Sequence, residues 1–341
     1  MKHYQWMFKL EGNLKKGLNM IDLFPVDKAD FPEPVIVTGA GGCIGSWVLH
    51  LLQRAGVNVI ALDLHKDTRR PGLLMTDEEL SSVVWLDGDI ANPNTIRNAV
   101  KKHEAGAIIH LAALQVPFCK ADPILGAQVN VVGTTNVLEA AREHGIKRLA
   151  FASSIAAHGV FNAETVSTLY GAYKFCNEET AKVYMQDWEV PSTCLRPGVV
   201  YGIGRDQGMT SKTTVAILAA AMKQSYTIPF NGPVSWLHAG EVASAFIQSV
   251  STPRDAARVF DINGVIATVE ESIKKIEAIA PNSKIDAEGS ALPFPTDLSD
   301  QPLRDYLGDY GSVDLDHGIT HTYENFCRLV TLGKLDSQSI S

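Results

Sequence analysis

From residue 35 onward, short β-branched apolar runs alternate with longer stretches whose apolar residues recur every three or four positions. Runs that short, bounded by glycine or polar clusters, read as buried strands, and the three-to-four spacing reads as one face of a helix. Val35-Ile36-Val37 is the first run. It ends in Thr38-Gly39-Ala40-Gly41-Gly42-Cys43-Ile44-Gly45, after which Val48, Leu51, Leu52 and Ala55 continue from Ile44 at helical spacing. This predicts strand, tight turn, helix. Further strands are expected over 57–63, 82–86, 107–113 and 148–152, and a sixth before Pro197. Pro93 opens a helix through His103, at a first-turn position that needs no amide donor. A long helical stretch covers 122–144, and another starts at Tyr170. Strands and helices alternating at this spacing imply βαβ units, right-handed crossovers and a doubly wound parallel sheet, an α/β fold.

Composition narrows the function classes. The chain has 341 residues, 45% of them hydrophobic, enough for a substantial core in one large or two modest domains. A formal charge of -8, with no basic run interleaved with aromatics, argues against nucleic acid as a partner. No segment approaches the 18 or so uninterrupted apolar residues of a membrane span. The five scattered cysteines contain no C-x-x-C pair, so reduced thiols in a cytoplasmic protein without a metal site are expected. Residues 1–33 carry Lys2, Lys9, Lys15 and Lys16 among aromatics, without the apolar core of a signal peptide, and read as an N-terminal extension packed on the body.

The glycine cluster suggests a phosphate-binding turn, because a Cβ there would keep a ligand's pyrophosphate from the backbone amides and the positive helix end. Eighteen positions past Gly45, Asp63 closes the second apolar run, where an acid can accept both hydroxyls of an adenosine ribose. Such a carboxylate repels a 2′-phosphate and favours NAD; Arg69 and Arg70 close by keep NADP open as the lesser alternative. Farther on, Tyr170 and Lys174 stand four positions apart and share one helix face. An ammonium beside a phenol favours the phenolate, which can take a proton from a substrate hydroxyl or return it. Ser154, at the carboxyl end of the fifth strand, can hold the same oxygen.

The spacing Thr38-Gly39-x-x-Gly42-x-x-Gly45, followed in order by Asp63, Ser153-Ser154 and Tyr170-x-x-x-Lys174, resembles the short-chain dehydrogenases/reductases, in particular their extended branch of NAD-dependent epimerase/dehydratase-like enzymes. The resemblance covers about residues 34 to 330. It implies a Rossmann domain over 34–202 carrying the catalytic residues. A smaller C-terminal substrate-binding cap, mainly 203–341, would send some segments back to that domain. It places Gly39, Gly42, Cys43, Ile44, Gly45 and Asp63 at the cofactor, with Asp89 and Ile90 beside the adenine. Leu111, Ala112 and Ala113 would lie against the dinucleotide, while Pro197, Val199 and Val200 of Arg196-Pro-Gly-Val-Val-Tyr-Gly line the nicotinamide. Tyr170 and Lys174 serve both cofactor and catalysis, and Asn130 of Asn130-Val-Val-Gly-Thr joins Ser154 as a catalytic group. His158 stands where the family has tyrosine. His110 reads as structural. The helices around 130–141 and 170–187 resemble the family's dimer contact, so a homodimer is expected.

These residues point first to an NAD-dependent dehydrogenase acting on a secondary alcohol or carbonyl of a small sugar, polyol or sugar acid. An NAD-dependent sugar or sugar-nucleotide epimerase uses the same proton machinery and is the alternative. An NAD(P)-sensing regulator of the same fold often lacks the tyrosine or lysine, and both are present. Nucleotide-sugar members hold phosphates with an arginine where this chain has Val234, so a substrate without a nucleotide handle is expected. Gln115, Ser154, Ile155 and Arg205 are its candidate contacts, Arg205 for a carboxylate or hydroxyls.

Overall fold

The structure, a computed structural model, describes residues 20–161 and 168–340. Seven parallel strands build the main sheet: β1 Val35–Thr38, β2 Val59–Asp63, β3 Val84–Asp87, β4 Ala107–His110, β5 Leu149–Ala152, β6 Ser192–Pro197 and β10 Ala257–Ile262. Their order is β10-β6-β5-β4-β1-β2-β3. The chain therefore runs outward from β1 on one side and, after β3, crosses to β4 on the other. That reversal opens a crevice at the carboxyl ends of β1 and β4, where a doubly wound sheet binds its ligand.

Helices cover both faces. On one face, α1 (Cys43–Arg54) packs beside α6 (Ala239–Ser249), with Trp47, Leu51, Val242 and Phe246 in one core. On the other, α2 (Pro93–His103), α3 (Gly133–His144) and α4 (Leu169–Trp188) enclose Ile36, Ile96, Val137 and Ala181. β1 is buried at all four positions, as a central strand covered on both faces must be.

Several bounds depart from the sequence reading: the strand expected over 107–113 ends at His110, the one over 57–63 begins at Val59, and the helical stretch over 122–144 is interrupted at Gln128–Val132. The strand expected from residue 82 begins at Val84, because Thr76 and Glu79 form a capping box and the helix Asp77–Ser82 takes its first residues. β10 has no counterpart among the strands expected from the apolar runs, although the resemblance implies that some later segments return to this domain. It returns from the second half of the chain to pair with β6, Asp261 opposite Arg196. The remaining strands make two small sheets, β11-β9-β7 and β12-β8, from β7 Val199–Tyr201, β8 Ser225–Ile228, β9 Pro233–His238, β11 Val265–Thr268 and β12 Lys284–Ala287. The helix α5 (Lys212–Ala221) packs against β8, β12 and α7 (Leu315–Thr331). Of the N-terminal extension, Met20, Phe24 and Phe31 are buried against the body, and the Phe24 ring stacks 6.4 Å from His238. Residues 1–19 lie outside those described. No helix among the described residues is long and apolar enough to cross a membrane.

Candidate active site

A cavity of about 550 Å3 runs along the crevice from Asp63, past the glycine turn, to Ser154 and Tyr170. Close backbone packing explains two of the turn's glycines. Gly39 has a positive φ of 67°, and a Cβ there would lie 2.6 Å from the Ala112 nitrogen; one on Gly45 would lie 2.3 Å from the Gly39 carbonyl. These glycines let strand, turn and helix close on one another, a role distinct from the ligand clearance that the sequence suggests. Gly42 caps α1 without any side-chain hydrogen bond, so the first-turn N–H groups of Cys43 and Ile44 are left to a ligand. Asp63 sits beside them. Its Oδ2 accepts from the Gly41 amide at 2.9 Å and its Oδ1 from Leu64 at 2.8 Å. Asp89, Ile90, Leu111, Ala112, Ala113, Pro197, Val199 and Val200 all line the same cavity.

At the reacting end, β5 delivers two serines with opposite fates. Ser153 is buried and donates to the Glu178 carboxylate. Ser154 lines the cavity and hydrogen-bonds Tyr170, while its Oγ also accepts from the Ala156 amide at 3.2 Å. Tyr170 starts the first turn of α4, whose N-cap Thr168 accepts from the Gly171 amide. One turn on, Lys174 is buried with its Nζ donating to the Ala152 carbonyl at 2.6 Å. Burial lowers the Lys174 pKa to about 8.

The expected effect of the lysine on the phenol takes a different form. Burial raises the Tyr170 pKa, opposed by the Ser154 hydrogen bond and by the charge of Arg205. Lys174 is turned to Ala152, its Nζ 5.6 Å from the centre of the Tyr170 ring. Serine and arginine therefore oppose the burial shift.

Asn130 holds the backbone of Leu114 with its side-chain amide. Its Oδ1 accepts from the Leu114 amide at 2.8 Å, and its Nδ2 donates to the Leu114 carbonyl at 3.0 Å and to Cys119 Sγ at 3.1 Å. It stands behind the cavity wall within a π-helical turn, Gln128–Val132, and fixes the chain just beyond Ala113. Its structural role here is positioning. His110 bridges Thr38 at 2.7 Å and Thr134 at 3.1 Å, and burial pulls its pKa down to about 3, so it is neutral and ties β1 and β4 to α3.

A buried ionic network lay outside the sequence reading. Glu178, fully buried, receives Arg196 Nε at 2.8 Å and Nη2 at 2.5 Å as well as Ser153. Arg196 also faces Asp261 at 3.7 Å, and Asp261 holds His158 at 2.7 Å. The tyrosine-to-histidine replacement at 158 thus ends in a contact with β10. Glu178 follows Lys174 by four positions, and this repeat of charge on one helix face was the available signal. Arg70, which the sequence offers only as a contact for a 2′-phosphate, has other partners. It lines the cavity and donates to Gly41 O at 3.2 Å, with Nη2 2.8 Å from Asp206.

Residues 35–263 match the NAD dependent epimerase/dehydratase family. The chain belongs to this family. Over 135 residues it is 34% identical to a UDP-glucose 4-epimerase of Mus musculus, a match covering 37% of this chain and 39% of that one. The chain thus spans about two fifths of the length of that curated relative. With a mitochondrial L-threonine 3-dehydrogenase of Sus scrofa it shares 25% identity over 315 residues, 86% of this chain and 82% of the relative. The UDP-glucose 4-epimerase of Thermus thermophilus, solved with NAD, shares the fold at a TM-score of 0.71 and 23% identity, covering 86% of this chain and 98% of that one. Members of the extended short-chain branch of this family combine a Rossmann sheet with a nicotinamide dinucleotide, and this chain carries that sheet.

Proposed function

We propose that this enzyme is an NAD-dependent dehydrogenase of a secondary alcohol on a small, nucleotide-free substrate. The observation that carries the reading is the meeting of Ser154, Tyr170 and Lys174 at one end of a cavity whose other end is the glycine turn and Asp63. The uncapped first turn of α1 fits a pyrophosphate, and Asp63 fits the adenosine ribose. When bound, NAD supplies the hydride acceptor. Tyr170 removes the hydroxyl proton, Ser154 holds the oxygen as it becomes a carbonyl, and Lys174 fixes the floor of the site through Ala152. Small side chains at Ala112 and Ala113 leave room for the dinucleotide.

The arginines near Asp63 support NAD over NADP. Arg69 is forked onto Asp67 at 2.6 Å and Arg70 onto Asp206 at 2.8 Å, so both already have carboxylate partners. Wild-type turnover should be faster with NAD than with NADP at equal low concentration. Asp63→Ala should shrink that ratio about tenfold, since the charge and the ribose acceptor go together. Faster wild-type turnover with NADP would refute this role of Asp63.

The partial match to UDP-glucose 4-epimerases gives the epimerase reading its weight. Against a nucleotide handle, Val234 is buried in β9 and offers no charge. Assaying purified enzyme and NAD across free sugars, polyols, hydroxy acids and nucleotide sugars separates the two, because only a dehydrogenase accumulates NADH. If a nucleotide sugar is epimerised with higher kcat/KM than any free compound is oxidised, the dehydrogenase reading falls. The homodimer is proposed on the same resemblance, and the exposed Val132, Leu169, Val183 and Trp188 on or beside α3 and α4 support it. Light scattering at micromolar concentration should return twice the chain mass; a monomer would reject the contact.

A further inference from the structure

Arg205 follows β7 in the loop that closes the reacting end of the cavity, and it is half-buried there. Every other basic side chain on this wall is engaged. Arg70 has Asp206, and Lys174 has the Ala152 carbonyl. Among the described residues no carboxylate lies within ion-pair distance of Arg205. Its neighbour in sequence, Asp206, is turned to Arg70. Of its donors, Nη2 reaches Thr210 Oγ1 at 2.9 Å, while Nε is buried with no partner. A partly desolvated guanidinium without a counter-charge is unfavourable until an anion meets it.

Gln115, the N-cap of the short helix Val116–Ala121, lines the same cavity. A Cβ built on Gly208 would lie 2.2 Å from Gln115 Oε1 and 3.4 Å from Arg205 Nη2, so both side chains lie over that glycine. Gly208 has a φ of 93°, the left-handed region that favours glycine. Arg205 is also near enough to Tyr170 to oppose the burial shift of its phenol. A cavity-wall guanidinium with an unpartnered Nε, its charge felt at Cys43 of the glycine turn as well as at Tyr170, matches a planar, two-oxygen anion.

We infer that Arg205, with Gln115 and Thr210, forms a carboxylate subsite, and that the substrate is a hydroxy acid whose oxidised carbon lies within a few bonds of its carboxyl group. This inference rests on the dehydrogenase reading for the identity of the reacting hydroxyl. Sugar acids, 2-amino-3-hydroxy acids and simple 3-hydroxy acids all meet the description. The pyrophosphate of the dinucleotide is the other source of anionic oxygen in this cavity, and the α1 N-terminus already provides donors for it.

The test compares each acid with its neutral counterpart: D-galacturonate with D-galactose, L-threonine with L-threoninamide, 3-hydroxybutyrate with butane-1,3-diol. With wild-type enzyme and NAD, at least one acid should exceed its counterpart at least tenfold in kcat/KM. Arg205→Met should lower that value at least thirtyfold, chiefly through KM, and bring the ratio near one. Arg205→Lys should recover part of it, because a point charge replaces a fork. Equal use of acid and neutral compound, or an acid preference that survives Arg205→Met, overturns the subsite. So does a loss confined to NAD affinity, which would assign the guanidinium to the pyrophosphate. Calorimetry on Tyr170→Phe loaded with NAD reads the subsite without turnover. Acids that bind there at least tenfold more weakly after the added Arg205→Met change support the subsite even if no compound is oxidised. Acids that fail to bind there refute it even if neutral alcohols are oxidised.

Discussion

Tyr170→Phe should lower turnover on the order of a thousandfold while NAD binding changes little. The ring stays and only the hydroxyl is lost, so the cavity wall keeps its shape. The expected loss is large because among the described residues that line the reacting end, Tyr170 is the group placed to take a proton: Ser154 is bonded to it, and Lys174 is directed at Ala152. Oxidation should speed up as pH rises from about 7 to 9. Burial holds the phenol above its usual range, so its base form grows by up to about tenfold per pH unit. Stopped-flow measurement of NADH formation with the best alcohol, alongside a titration of NAD affinity, checks both statements. A variant retaining more than a tenth of wild-type turnover would remove Tyr170 from the reaction.

Glu178→Ala should destabilise the fold by about 3–5 kcal/mol, the range for breaking a buried ion pair from one side. The deletion leaves the Arg196 guanidinium, only 15% exposed, without its two-point partner, and leaves Ser153 without an acceptor. Domains of this kind are stable by only about 5–15 kcal/mol, so the change is a large fraction of the total. Urea unfolding followed by tryptophan fluorescence measures it. Glu178→Leu combined with Arg196→Met should recover most of the loss, since a buried apolar pair carries no unmatched charge. A single-variant loss below about 1 kcal/mol would show that the carboxylate is not what holds Arg196. Activity should fall as well in surviving protein, because Ser153 adjoins Ser154 at the strand end.

The arrangement of β1, the glycine turn and α1 was legible from Val35 to Ala55 because a continuous apolar run, turn chemistry and helical spacing are all set within a few residues. The same locality put Tyr170 and Lys174 on one face, and the order of Asp63, Ser154 and Tyr170 gave the family. Other features were decided only when distant segments met. β10 entered the sheet because β6 offered an open edge, which no pattern within 257–262 reveals. Asn130 has the residue type of a reaction-site group, yet 16 positions separate it from the Leu114 backbone that takes up its amide. Glu178 and Arg196 pair across 18 positions and between two elements, α4 and β6. Arg205 is notable for what is not near it: Asp206 is the adjacent residue, but Arg70, 136 positions away, claims its carboxylate. Hydrophobic period and turn preference are properties of a short stretch of chain, whereas which charge finds a partner depends on how the whole chain packs.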